Sequence, residues 1–338
     1  MKKIYTLIIV FLILFIGVYY YNEFSKPFIG VLFSDSVSKD SEIKILNKNL
    51  NIKKDIKINA IDAPMVSYTN NSIYIPTSLD NKLFYMDNNF KLSEKIVLPG
   101  TTYMKTKQDA QLILFNPPKN KKYGDVNKVY FKHKNKEDIL DINNSLLLCG
   151  DFNNKFIYVI GTKFDTDGNT QSYLFIIDRL NFKLKDQIKI PDNIRVFTCE
   201  IIDNKLFISP DRKVDYFLYY DFVDKKMKKI KYNELIKNNL DISTIVYNDN
   251  YIFEISLTGE VVKLERKNLD IIDSTMLDKK VIISGDIKDN RLYLLSQDEI
   301  KPQISKIDVL DASNLKKVKE IKLQPIRNTM ARYIYIYK

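Results

Sequence analysis

The chain holds two thiols, Cys149 and Cys199, and one imidazole, His133. A zinc site of the usual kind takes four Cys or His ligands, and a Ser-His-Asp set needs a placed imidazole, so neither chemistry has its parts. Cys149 precedes Asn153 by four residues and Cys199 precedes Asp203 by four, which gives the two cysteines equivalent places ahead of similar turns. A bridge between them needs Cα atoms within about 7 Å. Buried free thiols are the expectation, with a disulfide and a functional thiol pair as the alternatives. Asp165-Thr166-Asp167-Gly168-Asn169 offers alternating oxygens like the start of a calcium loop. Gly stands fourth there rather than sixth, however, and Ile176 holds the twelfth place, where an EF-type loop needs a bidentate Glu. A hairpin tip accounts for the same residues without a metal. His133, between Lys132 and Lys134, is expected to be exposed at a strand end with no base or nucleophile beside it. Paired carboxylates gathered from distant positions would suit glycoside cleavage, but no spacing singles out a pair. The sequence therefore names no catalytic, cofactor-binding or metal-ligating residue, and no cofactor is expected.

The 338 residues include 53 Lys and Arg against 42 Asp and Glu, a formal charge of +11, and only seven of the cations are Arg. Hydrophobic residues at 45% and aromatics at 12% are enough for a packed core and exclude general disorder. A basic surface suits anionic partners such as phospholipid headgroups, wall polymers or nucleic acid. Its densest run is Lys225, Lys226, Lys228, Lys229 and Lys231. The scarcity of Arg argues against nucleic acid. The absence of Trp argues against quinone-cofactor dehydrogenases and Trp-stacked sugar sites, although the 22 Tyr could serve a sugar instead.

These side chains need elements to position them, and the first is a membrane segment. Lys2 and Lys3 precede an apolar stretch from Ile4 to Tyr21, about 18 residues, just enough to cross hydrocarbon as a helix. A cleaved signal peptide would show small residues at a cleavage site, yet Val18-Tyr19-Tyr20-Tyr21-Asn22-Glu23-Phe24 follows Gly17 and the first Ala is Ala60. A retained anchor is the expected reading. The tyrosines suit the interfacial belt, and Lys2 and Lys3 place the N-terminus in the cytoplasm. The expected organisation is residues 1–27 as tail, anchor and linker, and residues 28–338 as a single extracytoplasmic domain on the cell membrane.

From Phe28 onward short strands rich in Ile, Val, Leu, Tyr and Phe alternate with Asn, Asp and Lys, and only Tyr232 to Asn239 could form a helical turn. A two-residue turn followed by an apolar strand recurs at Asn70-Asn71, Asp109-Ala110, Asn153-Asn154, Asp203-Asn204, Asp249-Asn250 and Asp289-Asn290. The spacings of 39, 44, 50, 46 and 40 residues are those of propeller blades. Asn and Asp tolerate the positive φ that such turns ask for. Each unit has four strands, and six units span Pro64 to Leu323. Phe28 to Phe33, Glu42 to Leu46 and Asn51 to Ile58 lack a first strand, and Tyr333 to Tyr337 is a strand without a blade. Joining them gives an all-β, seven-bladed ring with no open edge; six or eight blades are the alternatives. Lys recurs on the fourth strands (Lys53 and Lys57; Lys183, Lys185 and Lys189; Lys316, Lys317, Lys319 and Lys322), where it discourages pairing of exposed edges. That role accounts for much of the net charge.

The stretches "IPDNIRVFTCEIIDNKLFIS" (Ile190 to Ser209) and "NNKFIYVIG" (Asn153 to Gly161), with the third-strand Asp of "YLFIIDRLNFKLKDQIKI" (Tyr173 to Ile190), resemble YVTN-type β-propeller repeats of the WD40/YVTN-like group. The chain departs from that pattern in having Asn where those repeats favour Gly. The resemblance implies binding of a ligand or partner at a face or in the central channel. The expected function is a membrane-anchored binding or scaffolding module with a protein or envelope-polymer partner, not favoured as an enzyme. The alternative is a glycan-directed hydrolase or lyase with carboxylates and Tyr at the channel mouth.

Overall fold

A computed structural model of the protein describes residues 26–69, 72–118, 126–164, 169–236, 238–301, 303–324 and 329–337. The apolar segment from Ile4 to Tyr21, the Asn70-Asn71 turn and Asp165 to Gly168 lie outside them. Among the described residues no helix is long and apolar enough to cross a membrane.

Among these residues 28 strands form seven four-stranded antiparallel sheets. Blade 2 is Ser67–Thr69, Ser72–Pro76, Lys82–Asp87 and Leu92–Ile96; blade 3 is Thr101–Lys107, Ala110–Phe115, Val126–His133 and Lys136–Asn143. Blade 4 is Leu146–Phe152, Phe156–Phe164, Thr170–Asp178 and Lys183–Lys189; blade 5 is Val196–Ile202, Lys205–Pro210, Tyr216–Asp221 and Lys226–Lys231. Blade 6 is Ile242–Tyr247, Tyr251–Ser256, Glu260–Glu265 and Ile271–Met276; blade 7 is Lys280–Lys288, Arg291–Asp298, Ser305–Asp311 and Lys317–Leu323. Blade 1 takes its inner strand, Met330–Ile336, from the far end of the chain and adds Pro27–Ser34, Ser41–Asn47 and Ile52–Ile58. The expected closure is therefore the one observed.

Periodicity follows the layer each strand occupies. Second and third strands are covered on both faces and are almost continuously apolar: Phe156–Phe164 and Tyr216–Asp221 are buried along most of their lengths. Fourth strands have solvent on one side and an unpaired edge, and Ile52–Ile58 and Lys183–Lys189 expose most of their residues. The closing seam is tight. Gly30 pairs with Tyr335, and a Cβ built on Gly30 would lie 2.0 Å from the Tyr335 ring. Only a residue without a side chain lets that ring, fully buried, lie flat on the neighbouring strand.

The turns differ in detail from the repeat read in the sequence. Asp289 and Asn290 both take positive φ (49° and 56°), as does Asp203 (54°). Asn153 and Asn248 instead cap longer loops, each accepting on Oδ1 from the amides two and three residues on. In blade 3 the turn is one residue earlier than expected: Gln108 takes positive φ (52°) and Ala110 is a buried strand residue. Tyr232 to Asn239 forms no helix among the described residues. A short hydrogen-bonded turn closes from Asn233 O to Ile236 N, and the one helical element among the described residues is a 3-10 turn at Pro191–Asn193.

Candidate functional site: the central channel

The seven inner strands surround a cavity of about 1000 Å³. The sequence brings charge to its wall at matching rungs. Asp151 pairs with Tyr158, Asp286 with Tyr293, Glu200 with Phe207 and Lys105 with Leu112. Asp151 and Asp286 are used alike. Asp151 accepts from the Phe152 amide on Oδ1 (2.7 Å) and from the Ile201 amide of the next blade on Oδ2 (2.8 Å). Asp286 accepts from the Ile287 amide on Oδ1 (2.8 Å) and from the Ile336 amide of the next blade on Oδ2 (2.8 Å). Each carboxylate thus ties one inner strand to its neighbour, and charge-assisted bonds of this kind are the stronger class. Ser67 and Thr106 link blades 2 and 3 through their hydroxyls at 2.8 Å.

Two lysines of blade 3 complete the belt. Lys107 Nζ lies 2.6 Å from Asp151 Oδ1, and Lys105 forms an ion pair with Glu200, reaching from blade 3 past blade 4 to blade 5. Tyr68 OH donates to Asp286 Oδ2 at 2.6 Å. Burial pulls Lys105 down, but Glu200 and Asp151 outweigh it and hold its proton more tightly than usual. Burial, helped by Asp151, pushes Glu200 up against the opposing pull of Lys105 and Lys107. Tyr333 is pushed to about 12 by burial and by Asp286 and Glu200. The one neighbour that displaces both groups upward is the Asp151 carboxylate.

Cys149 and Cys199 lie on the inner strands of consecutive blades, fully buried and unbridged. Burial and the adjacent Cys149 thiol push Cys199 up, the opposite of what a nucleophilic thiolate needs. His133 differs from the expectation. It ends its strand half-buried, with Nε2 3.5 Å from Asp109 Oδ1, because the blade 3 turn brings Asp109 beside it. The Lys225 to Lys231 run lies on and beside the outer strand of blade 5, where Lys228 pairs with Asp221 and Asp224, and Lys229 with Asp192. Of the calcium-like run only Asn169 falls among the described residues.

The belt itself is absent from the expectations above. One signal for it was present in the sequence. Gly150-Asp151 and Gly285-Asp286 repeat a Gly-Asp pair on inner strands of different blades, and Glu200 follows Cys199 in an apolar run.

The sequence matches no protein-family model and no curated protein. Solved structures match most of the chain. A putative 6-phosphogluconolactonase from Bacteroides uniformis is 9% identical at a TM-score of 0.62, covering 92% of this chain and 100% of its own. The β-propeller domain of Cps50 (Swd1) from Myceliophteria thermophila is 10% identical at 0.56, covering 80% and 94%. Apo AztD from Citrobacter koseri is 11% identical at 0.50, covering 91% and 97%. At such identities the likeness is one of fold, and the class it defines is the β-propeller.

Proposed function

We propose that the protein is a membrane-anchored, extracytoplasmic β-propeller of YVTN-like repeats that serves as a binding or scaffolding module. One observation carries the binding reading. Three acidic side chains at or behind the channel wall are engaged in holding the ring: Asp151 and Asp286 by amides of two strands each, Glu200 by Lys105. A glycosidase needs two carboxyls free to exchange protons and face a sugar, about 5 to 10 Å apart. These carboxylates instead keep the wall rigid and leave the cavity as a preformed receptor. The anchor reading is supported by Lys2, Lys3 and the apolar run from Ile4 to Tyr21.

The partner is taken to be a protein or an envelope polymer. Protease treatment of intact cells, with crosslinking of the full-length protein in its own membrane, tests the proposal. The expected result is a domain degraded from outside and retained with the membrane, crosslinked to a partner. A domain protected until the membrane is opened, or a mature N-terminus between Tyr19 and Pro27, would end the anchored reading. Turnover of envelope polysaccharide by the purified protein, lost in Glu200→Gln, would replace scaffold by hydrolase.

A further inference from the structure

Strand direction sorts the loops of the ring to two ends. The inner turns, from first to second strand, and the outer turns, from third to fourth, share one end, and the remaining loops share the other. Contacts between blades follow this alignment. Arg266 on the outer turn of blade 6 pairs with Asp203 on the inner turn of blade 5, and Lys48 on the outer turn of blade 1 lies 3.8 Å from Asp289 on the inner turn of blade 7. Every outer turn carries a cation: Lys48, Lys91, Lys134, Arg179, Lys225, Lys267 and Lys316, one from each blade. With the first and last residues of the flanking strands included, the turn end holds 18 Lys and Arg, Lys26 at the chain entry among them, against 11 Asp and Glu among the described residues. The opposite end holds 10 against 13 on the same count. Charge is therefore polarised along the axis of the ring.

Pairing sharpens the contrast. Of the acids within the turns, Asp109, Asp203, Asp224 and Asp289 each face a His, Arg or Lys side chain. Lys91, Lys134, Lys155, Lys225, Lys267 and Lys316 are exposed, and among the described residues none has an ion-pair partner. They sit in turns rather than on the open strand edges, so protection of those edges does not account for them. The chain enters the ring at Pro27, where a strand starts from this same end. Five residues, Asn22 to Lys26, separate it from the apolar segment Ile4 to Tyr21, and fully extended they reach at most about 18 Å.

We propose that the turn end of the ring lies on the anionic phospholipid headgroups of the membrane that holds the anchor. The inference rests on the anchored reading and adds to it a second contact and an orientation. Attraction between a lysine and an anionic surface fades within roughly 8 to 10 Å, and the short link keeps the turn end near that range. The opposite end, with its excess of acids, is repelled by the same surface. Because each blade contributes a cation, the field favours a ring lying flat on the bilayer over one tipped onto a single blade. The residue type fits as well. A lysine ammonium is a point charge on a flexible stem and needs no fixed bidentate geometry from a fluid layer of phosphates. The opposite end is then left facing away from the membrane, open to the partner of the proposed scaffold.

Full-length protein reconstituted in lipid vesicles tests the orientation. Asn135→Cys places a reactive thiol on the outer turn of blade 3, and Gln303→Cys places one at the opposite end; both positions are exposed, and the native cysteines are buried. A fluorophore on each thiol is read by its quenching from lipids that carry a nitroxide on the headgroup. In phosphatidylcholine vesicles with about 30% phosphatidylglycerol, the Asn135→Cys label should be quenched about twofold more than the Gln303→Cys label, and the difference should shrink as salt is added. Phosphatidylcholine alone should give a smaller difference. Lys91→Glu, Lys134→Glu, Lys225→Glu, Lys267→Glu and Lys316→Glu combined in one chain should abolish the gain from phosphatidylglycerol. Should that variant fail to fold, the salt series on the labelled chains carries the test by itself. Equal quenching at the two ends, stronger quenching at the opposite end, or indifference to phosphatidylglycerol overturns the proposal. Saturable binding of soluble polyphosphate with no gain from phosphatidylglycerol would assign the face to an anionic polymer and overturn it too. An alkaline wash of the vesicles reads the anchor separately. Protein retained through the wash without the asymmetry ends the lipid contact alone, and protein released by the wash after showing the asymmetry ends the anchored reading alone.

Discussion

Glu254 shows how a single side chain can set the pH response of the domain. It is buried on the second strand of blade 6, and its Oε2 accepts from Tyr232 OH at 2.9 Å. Burial pushes it up to about 7, with Tyr232 pulling the other way. The folded protein thus keeps this proton to about pH 7, while the unfolded chain releases it near 4.5. The stability contributed by this proton is complete below about pH 4.5 and is lost as pH rises to about 7, a loss of roughly 3 kcal/mol. Glu260 is a second buried carboxyl, also pushed up by burial, so the wild-type slope should be at least that steep. Urea unfolding of wild type and Glu254→Gln between pH 4.5 and 8 should give curves that diverge by about 3 kcal/mol in favour of the variant at high pH; parallel curves would refute this. The thiols give a second residue-scale test. Cys149 and Cys199 should be unreactive in the native protein and should both label in denaturant without reductant. A crosslink between them in mass spectrometry would contradict the free thiols. Their burial could be read from the apolar repeat position, whereas the pairing of Lys105 with Glu200 could not, since the two lie 95 residues apart in sequence.

At the scale of the element, inner strands are joined by the carboxylate ties rather than by sheet hydrogen bonds. Asp151→Asn keeps the shape but removes the charge that serves two amides and Lys107. Breaking a buried pair by removing one partner costs about 3 to 5 kcal/mol, so the unfolding midpoint in urea should drop accordingly, and a change under about 1 kcal/mol would show that the tie is decorative. Strand order, the strand count per blade and the lysine edges were legible because period-two and continuous apolar patterns report directly which faces are covered. The turn at Gln108-Asp109 was misplaced by one residue because either pair reads as a turn locally. Only the pairing of Lys107 with Ala110 decides it.

For the whole molecule, closure makes the two ends of the chain interdependent. Ile334, Tyr335 and Ile336 are buried against the strand Pro27–Ser34, and each is worth about 1.5 to 3 kcal/mol of burial. Removing Arg332 to Lys338 should therefore lower the thermal midpoint by on the order of 10 °C or more and open the edge of blade 1. An unchanged midpoint would show that the ring does not depend on this strand. Gly30→Ala tests the same seam more finely. The added methyl would collide with the buried Tyr335 side chain, so a loss of about 1 to 3 kcal/mol is expected in equilibrium unfolding, and Gly30→Ala combined with Tyr335→Phe should recover only a minor part of it, because ring carbons Cζ and Cε1 stay in the way after the hydroxyl is gone. The sequence by itself determined the all-β class and the blade repeat, since each rests on patterns within reach of one strand and its turn, and the strands left over at its two ends pointed to the closing of the ring. Tertiary structure alone decided which charges face one another across the channel. Those distances depend on how seven inner strands converge on one axis, and no local pattern encodes that convergence.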